Sequence, residues 1–460
     1  MIRYTLLTLV ITFLCLYAWK DWYRSLCGLI VLMAFLERYD MPRQMLGIPG
    51  LNPWNLVMLF LLVAMLLSRK RENLRWNMPP EINVLLALYA IIILVGFIRM
   101  LDDMQPIREF FILSRRETIP TLKDYILDDI INSFKYVLPG MLLFYGCNSE
   151  ERLKLGISAI LLTLLLLGLQ IIKWMPLGDI GDGDALSDRA LRVLDRGIGY
   201  HRVDLAALMA SGSWVFFIAR MAVKNALVSK AFLFCGLLLV QSLALTGGRT
   251  GSGTWVVLGL GFAALRYRKL LFGLPILIIA VIALVPAVQE RMLQGFETDS
   301  VDQIAGESET DLSSVTSGRI LIWPTIIDYI KKEPLIGYGR RGMHTSGASV
   351  DLRDLLGAKA SFFGHPHNAY LELLIDNGII GAIPILLFFY LTIMRSAQLF
   401  RHKEGGSIAA IGGIALALIG AQLIASVGAQ SFYPRSGVVL MWSSIGMMYA
   451  VYVRMPRQNT

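Results

Sequence analysis

Apolar runs separated by short polar stretches recur from one end of the chain to the other. They fall at about 3–19, 22–37, 53–68, 82–100, 131–146, 155–175, 203–219, 230–246, 252–266, 269–286, 371–394, 407–427 and 436–453. Most approach the roughly 20 residues that a helix needs to cross about 30 Å of hydrocarbon. The runs are continuously apolar rather than alternating, which excludes a transmembrane barrel and predicts helices. The pattern therefore predicts an all-α, polytopic membrane protein of about 12–13 transmembrane helices with one long polar loop carrying short helices. As one integral membrane unit it divides into N-terminal membrane helices (1–200), central helices (201–286), the long loop (287–370) and C-terminal membrane helices (371–460).

The polar stretches orient the runs. Arg69, Lys70, Arg71 and Arg75 form one basic cluster; Arg220, Lys224 and Lys230 a second; Arg266, Arg268 and Lys269 a third; Arg395, Arg401 and Lys403 a fourth, and Arg454 and Arg457 follow the last run. All fall on one side if the runs from 82 onward alternate, and loop charge assigns that side to the cytoplasm. The opposite side receives 101–130, 176–202, 247–251 and 287–370. Counted literally, the runs put the N-terminus on that opposite side; it would lie inside if one of the first three did not span. The first run has no small-x-small cleavage site and is read as retained. Segment 101–130 mixes charged and apolar residues and is expected to lie along the interface. Within the long loop, Arg319 to Ile330 reads as a helix stopped near Pro334 and the Gly337–Gly339 turn.

Composition agrees. Of 460 residues 55% are hydrophobic and 17% charged, and the mean hydropathy is +0.59, against about 25% charged in soluble chains. The net charge of +9 is the sum of the loop clusters, so it is a topology signal and not a nucleic-acid surface. The four cysteines, Cys15, Cys27, Cys147 and Cys235, lie in or beside apolar runs and form neither a disulfide framework nor a zinc pattern.

Candidate chemistry concentrates on the side opposite the basic clusters. Two of five histidines, His365 and His367, flank Pro366 in SFFGHPHNAYLELLIDNGIIG, at the end of the long loop and the mouth of an apolar run. Arginine on this side runs against the charge bias. Arg249 sits in the glycine-rich turn LTGGRTGSG, where the backbone permits close approach and a guanidinium suits an anion. Arg319 opens the loop helix in SGRILIW, one turn before Trp323; a cation at a helix N-terminus is unfavourable for the dipole and hints at a partner anion. Arg189, Arg192 and Arg196 share a helical face and precede His201 and Arg202; they suit a lipid phosphate, or pair with Asp188, Asp195 and Asp204. Arg340 and Arg341 are also on this side. His365 and His367 with Glu372 or Asp376 make a weak metal set, and no nucleophile elbow is present. What remains is one or two histidines as general base and arginines stabilising a phosphorylated leaving group.

In order, TGGRTG, SGRxxxW at Ser317–Trp323, EPLIGYG at Glu333–Gly339 and HPHNAYLELLIDNGIIG resemble the O-antigen ligase and O-antigen polymerase superfamily of bacterial envelope glycosyltransferases. Roughly 200–450 carries the likeness. The turn departs from the family's Arg-Ser-Arg-Gly-like pattern in having Arg249 alone, and Asp204 stands where an Asn is frequent. The resemblance implies transfer of a glycan from an undecaprenyl-pyrophosphate carrier to an acceptor hydroxyl at the outer face of the inner membrane, without metal, nucleotide or other cofactor. It implies that Arg249 and Arg319 hold the pyrophosphate and that His367 takes the acceptor's proton. His365, Asn368, Tyr370, Trp323, Arg196 and Arg202 complete the expected binding surface. The expected partners are the lipid-linked donor, a glycan or glycolipid acceptor and membrane lipids, with no nucleic acid. A repeat-unit polymerase is the alternative; a glycolipid transporter fits less well, because the runs are nearly free of buried charge.

Overall fold

A computed structural model describes residues 2–113, 119–175, 183–269, 271–273, 319–356, 364–428 and 431–455, apart from positions 43, 46, 49 and 404. Among these residues the chain is helical and contains no β-strand. Six helices are long and apolar enough to cross a membrane: α4 (Pro80–Asp102), α9 (Glu150–Trp174), α11 (Arg202–Ala219, continued by a 3₁₀ turn to Ala222), α12 (Ala226–Leu245), α17 (Ala369–Phe400) and α18 (Gly406–Ala425). Shorter apolar helices join them: α1 (Ile2–Ala18), α2 (Trp22–Leu36), α3 (Pro53–Ser68), α8 (Leu138–Gly146), α13 (Arg249–Leu265) and α19 (Val439–Tyr452). With no water in hydrocarbon, such runs satisfy their backbone only as helices. Their ends are set locally: Asn52, Ser149, Asn225 and Asn368 accept backbone N–H groups as N-caps.

The run 131–146 is not one helix. A π-helical turn (Ile126–Ile131) separates α6 (Leu122–Tyr125) from α7 (Asn132–Lys135), and α8 starts only at Leu138. Pro139 accounts for the restart, since its ring excludes the helix carbonyl four residues earlier. α8 then packs on α19 so closely that a Cβ at Gly446 would lie 1.9 Å from the Gly140 carbonyl oxygen, the small-residue contact that lets membrane helices approach. The expected run 269–286 lies mostly outside the described residues, as does most of the long loop before Arg319.

The bundle has two chemically distinct ends. At one, Arg152 pairs with Glu72 at 2.8 Å, Arg266 Nη1 donates to Phe400 O and His402 O, Arg395 pairs with Glu81, and Arg454 donates to Cys147 O. Arg266, Arg395 and Arg454 come from three of the basic clusters of the sequence, and they gather at this end. At the other, α5 (Gln105–Leu113), α6, α10 (Gly183–Ile198), α14 (Arg319–Lys332), α15 (Gly342–Thr345) and α16 (Ala348–Leu356) lie over the helix termini. The start of α1 belongs to this second end: Tyr4 Oη donates to Asp40 O at 2.8 Å, and neighbouring Glu37 packs against Gly199 just before α11. α1, α2 and α3 thus each traverse the bundle. The segment 431–435 between α18 and α19 also comes to this end, in addition to the four segments expected from loop charge.

Candidate functional site

The site begins with a break in α17. Gly378 has φ +60° and ψ −168° inside an otherwise helical run, so the carbonyls and amides around it lose their helical partners. EPLIGYG supplies replacements. Ile379 N and Ile380 N donate to Pro334 O and Leu335 O at 2.9 and 3.1 Å, while Tyr338 N and Gly339 N donate to Ile375 O and Asp376 O, each at 2.8 Å. A Cβ at Gly378 would lie 2.3 Å from the Leu335 backbone, so only glycine fits both the angle and the space. Arg99, at the end of α4, adds donors to Ile336 O and Gly337 O. The two motifs are halves of one junction, which fixes where the next two residues, Arg340 and Arg341, emerge.

Arg340 is 4% exposed and lies at the centre of a buried charge network. Its Nε donates to Asp129 at 3.1 Å and its Nη1 to Glu372 and Asp376, each at 2.9 Å, with the guanidinium 3.7 Å from the Tyr433 ring centroid. Arg341, in left-handed backbone with φ +62°, donates to the second oxygen of Asp129 at 3.0 Å. Tyr433 Oη donates to Asp376 at 2.8 Å and accepts from Asn377 Nδ2 at 2.7 Å, and Gly342 N donates to Asp376 Oδ1 at 2.7 Å. Burial pushes the Asp129 carboxyl up, but the two guanidinium groups prevail and hold it below the usual carboxylate range. Burial opposes the charge on Arg340 too, and its carboxylates keep it firmly protonated. This network ties the π-helical turn, α15, α17 and the 431–435 segment together.

Above it opens a cleft of about 510 Å³. Four of the chain's five histidines, His201, His344, His365 and His367, line it with Arg202, Arg341, Arg435, Asp204 and Glu372. The His-Pro-His loop is held from both sides. His344 Nε2 is 3.0 Å from Gly364 O and must carry the hydrogen, since a carbonyl only accepts, and Trp323 Nε1 donates to Pro366 O at 3.1 Å. His367 has φ +51°, a strained position for a non-glycine residue, and its amide donates to His365 Nδ1 at 3.2 Å with the rings 4.0 Å apart. His201 caps α11 through Nδ1, which accepts from Val203 N; burial first, and Arg202 second, push its pKa down, so the ring is held toward its neutral form with Nε2–H as the donor.

The residues expected from sequence are distributed unevenly. His365, His367 and Arg202 line the cleft, and Trp323 buttresses its loop. Asn368 caps α17 by accepting from Tyr370 N and Leu371 N, and the Tyr370 hydroxyl donates to Leu423 O, so both anchor the helix that carries the loop. Arg249 heads α13 at the same end, where Gly248 and Gly251 pack on Ala206 one turn into α11, but it stands beside the lining residues rather than among them. Arg196 is exposed on α10, which contributes Leu191 to the lining. Arg319 begins α14, and its side chain lies outside the described residues. Glu372 and Asp376, weighed as metal partners of the two histidines, are both bound to Arg340, and among the described residues no three His, Cys, Asp or Glu side chains are grouped to hold a metal ion.

Sequence reasoning missed His344, Asp129, Tyr433 and Arg435. Arg435 carried a usable signal: it is an arginine between two runs on the side opposite the basic clusters, the criterion that singled out Arg249. His344 and Asp129 had none, because their roles arise from partners more than 15 residues away.

Residues 232–386, from α12 into α17, match the family model described as O-antigen ligase. The match supports the O-antigen ligase and polymerase superfamily that the motifs resemble, and indicates a glycan ligase or polymerase type of glycosyltransferase. It takes in the EPLIGYG junction, Arg340, Arg341 and the His-Pro-His loop, while Arg202 and Arg435 lie outside it. No curated protein matches the chain.

Proposed function

We propose, on the premise of this O-antigen ligase segment, that the protein moves a glycan from an undecaprenyl-pyrophosphate carrier to an acceptor hydroxyl, at a cleft facing the periplasm. The observation that carries the reading is the convergence of four histidines with Arg202, Arg341 and Arg435 on one cleft, at the end of the bundle away from the basic clusters. In the reaction the acceptor oxygen bonds to the anomeric carbon, the bond from that carbon to the carrier pyrophosphate breaks, and the hydroxyl proton passes to His367. Acceptor hydroxyls are too weakly acidic to ionise at neutral pH, so a base in contact with them is needed. His367 suits the role because Trp323 and His344 fix the loop on which it sits. The leaving pyrophosphate carries the developing negative charge, which guanidinium groups stabilise through planar, paired hydrogen bonds. Arg249 and Arg319 are assigned to it, from the heads of α13 and α14.

The test is deletion of the protein followed by gel analysis of envelope glycans, paired with turnover of lipid-linked glycan by the purified protein in excess EDTA. Unattached full-length polymer after deletion identifies a ligase, and single repeat units identify a polymerase. Unchanged envelope glycans, with no turnover of the lipid-linked donor, would sink the proposal.

A further inference from the structure

The cleft's positive charge is less available than its arginine content suggests. Arg340 and Arg341 are outnumbered three to two by the carboxylates they contact, Asp129, Glu372 and Asp376. Their charge is used within the protein. Arg435 differs: it is exposed, it lines the same cleft as His367, and among the described residues its guanidinium makes no hydrogen bond or ion pair. Its field reaches Asp128, Asp129, Asp204 and Glu372, so it faces the π-helical turn, α11 and α17 at once. Of these acids, Asp129 and Glu372 already hold guanidinium groups at 2.9–3.1 Å.

The backbone beneath Arg435 is tied down by hydrogen bonds on both sides. Phe432 O accepts the Tyr89 hydroxyl, Tyr433 is locked between Asp376 and Asn377 under Arg340, and Pro434 is buried. Val438 N donates to Arg435 O at 3.1 Å and closes the turn that leads into α19. A long cationic side chain with no hydrogen-bonded or ion-paired partner among the described residues thus stands on a fixed base in the lining of the cleft, beside the Asp204 carboxylate. That is the arrangement for gripping an anion that arrives from outside, because little backbone ordering remains to be done on binding.

We propose that Arg435 binds the phosphate groups of the carrier lipid, as a cleft cation separate from Arg249 and Arg319. The proposal rests on the donor chemistry inferred above. A guanidinium forks across two phosphate oxygens, whereas an ammonium meets them as a point charge.

The experiment measures saturable binding of two probes, undecaprenyl pyrophosphate and undecaprenol, to the full-length protein in detergent. It uses wild type, Arg435→Gln, Arg435→Lys and, as a half-buried arginine on α16 that does not line the cleft, Arg353→Gln. Wild type and Arg353→Gln should bind the pyrophosphate alike. Arg435→Gln should bind it about ten- to a hundred-fold more weakly, the usual cost of losing a charge-assisted hydrogen bond, and Arg435→Lys should fall between. Binding of uncharged undecaprenol should be the same in all four proteins, since a packing defect would weaken both probes. Wild-type affinity for the pyrophosphate in Arg435→Gln, or equal weakening for both probes, overturns the role of Arg435 and leaves the donor assignment standing. Wild type that fails to prefer the pyrophosphate over undecaprenol overturns the donor assignment, and the proposal with it.

Discussion

Replacing Arg340 by methionine probes the network on which the cleft rests. The substitution keeps an unbranched side chain but removes a guanidinium that contacts three acids at 2.9–3.1 Å in a site 4% exposed. Two of the acids keep other donors: Asp129 retains Arg341 at 3.0 Å, and Asp376 retains Gly342 N at 2.7 Å and Tyr433 at 2.8 Å. Glu372 is left with a buried carboxylate and no bonded guanidinium. Breaking a buried pair from one side costs about 3–5 kcal/mol, and the surviving donors place the expected loss at the lower end, about 3 kcal/mol. Reversible unfolding in mild detergent by added SDS at pH 7 measures it. Because Arg340 and Arg341 hold the Asp129 carboxyl below its usual range, its contribution is fully present above the unfolded value of about 3.9 and is lost as pH falls through the folded value. The deficit of Arg340→Met should therefore be full at neutral pH and shrink in acid. Adding Glu372→Leu should recover part of it, since the orphaned charge is then gone. A deficit below about 1 kcal/mol, or one that grows on acidification, would refute the reasoning.

Two further outcomes follow from the geometry. His367→Ala should lower turnover about 10²–10⁴-fold while pyrophosphate-lipid binding persists, and turnover within a few-fold of wild type would remove His367 as the base. Gly378→Ala puts a Cβ 2.3 Å from the Leu335 backbone at φ +60°, so thermal unfolding should show a clear loss of stability; an unchanged melting temperature would mean that the α17 break does not depend on glycine.

The sequence by itself determined the solvent. Runs of apolar residues near 20 long can satisfy their backbone in hydrocarbon only as helices, so the all-α membrane class followed from length and hydropathy. The basic clusters likewise placed Arg266, Arg395 and Arg454 at one end, where the structure gathers them. The motifs marked the His-Pro-His loop because a rare residue type sat at a boundary between polar and apolar chain. Tertiary structure decided what the motifs do for one another. EPLIGYG and LIDNGIIG read as two separate signatures until the break at Gly378 shows each supplying the hydrogen bonds that the other lacks. Arg340 and Arg341 read as two outer cations of unknown use, and Asp129, more than 200 residues away, neutralises part of their charge. Periodicity and loop charge are local properties of a chain. The pairing of a buried charge depends on which distant segment the packing brings within 3 Å, and one sequence does not carry that distance.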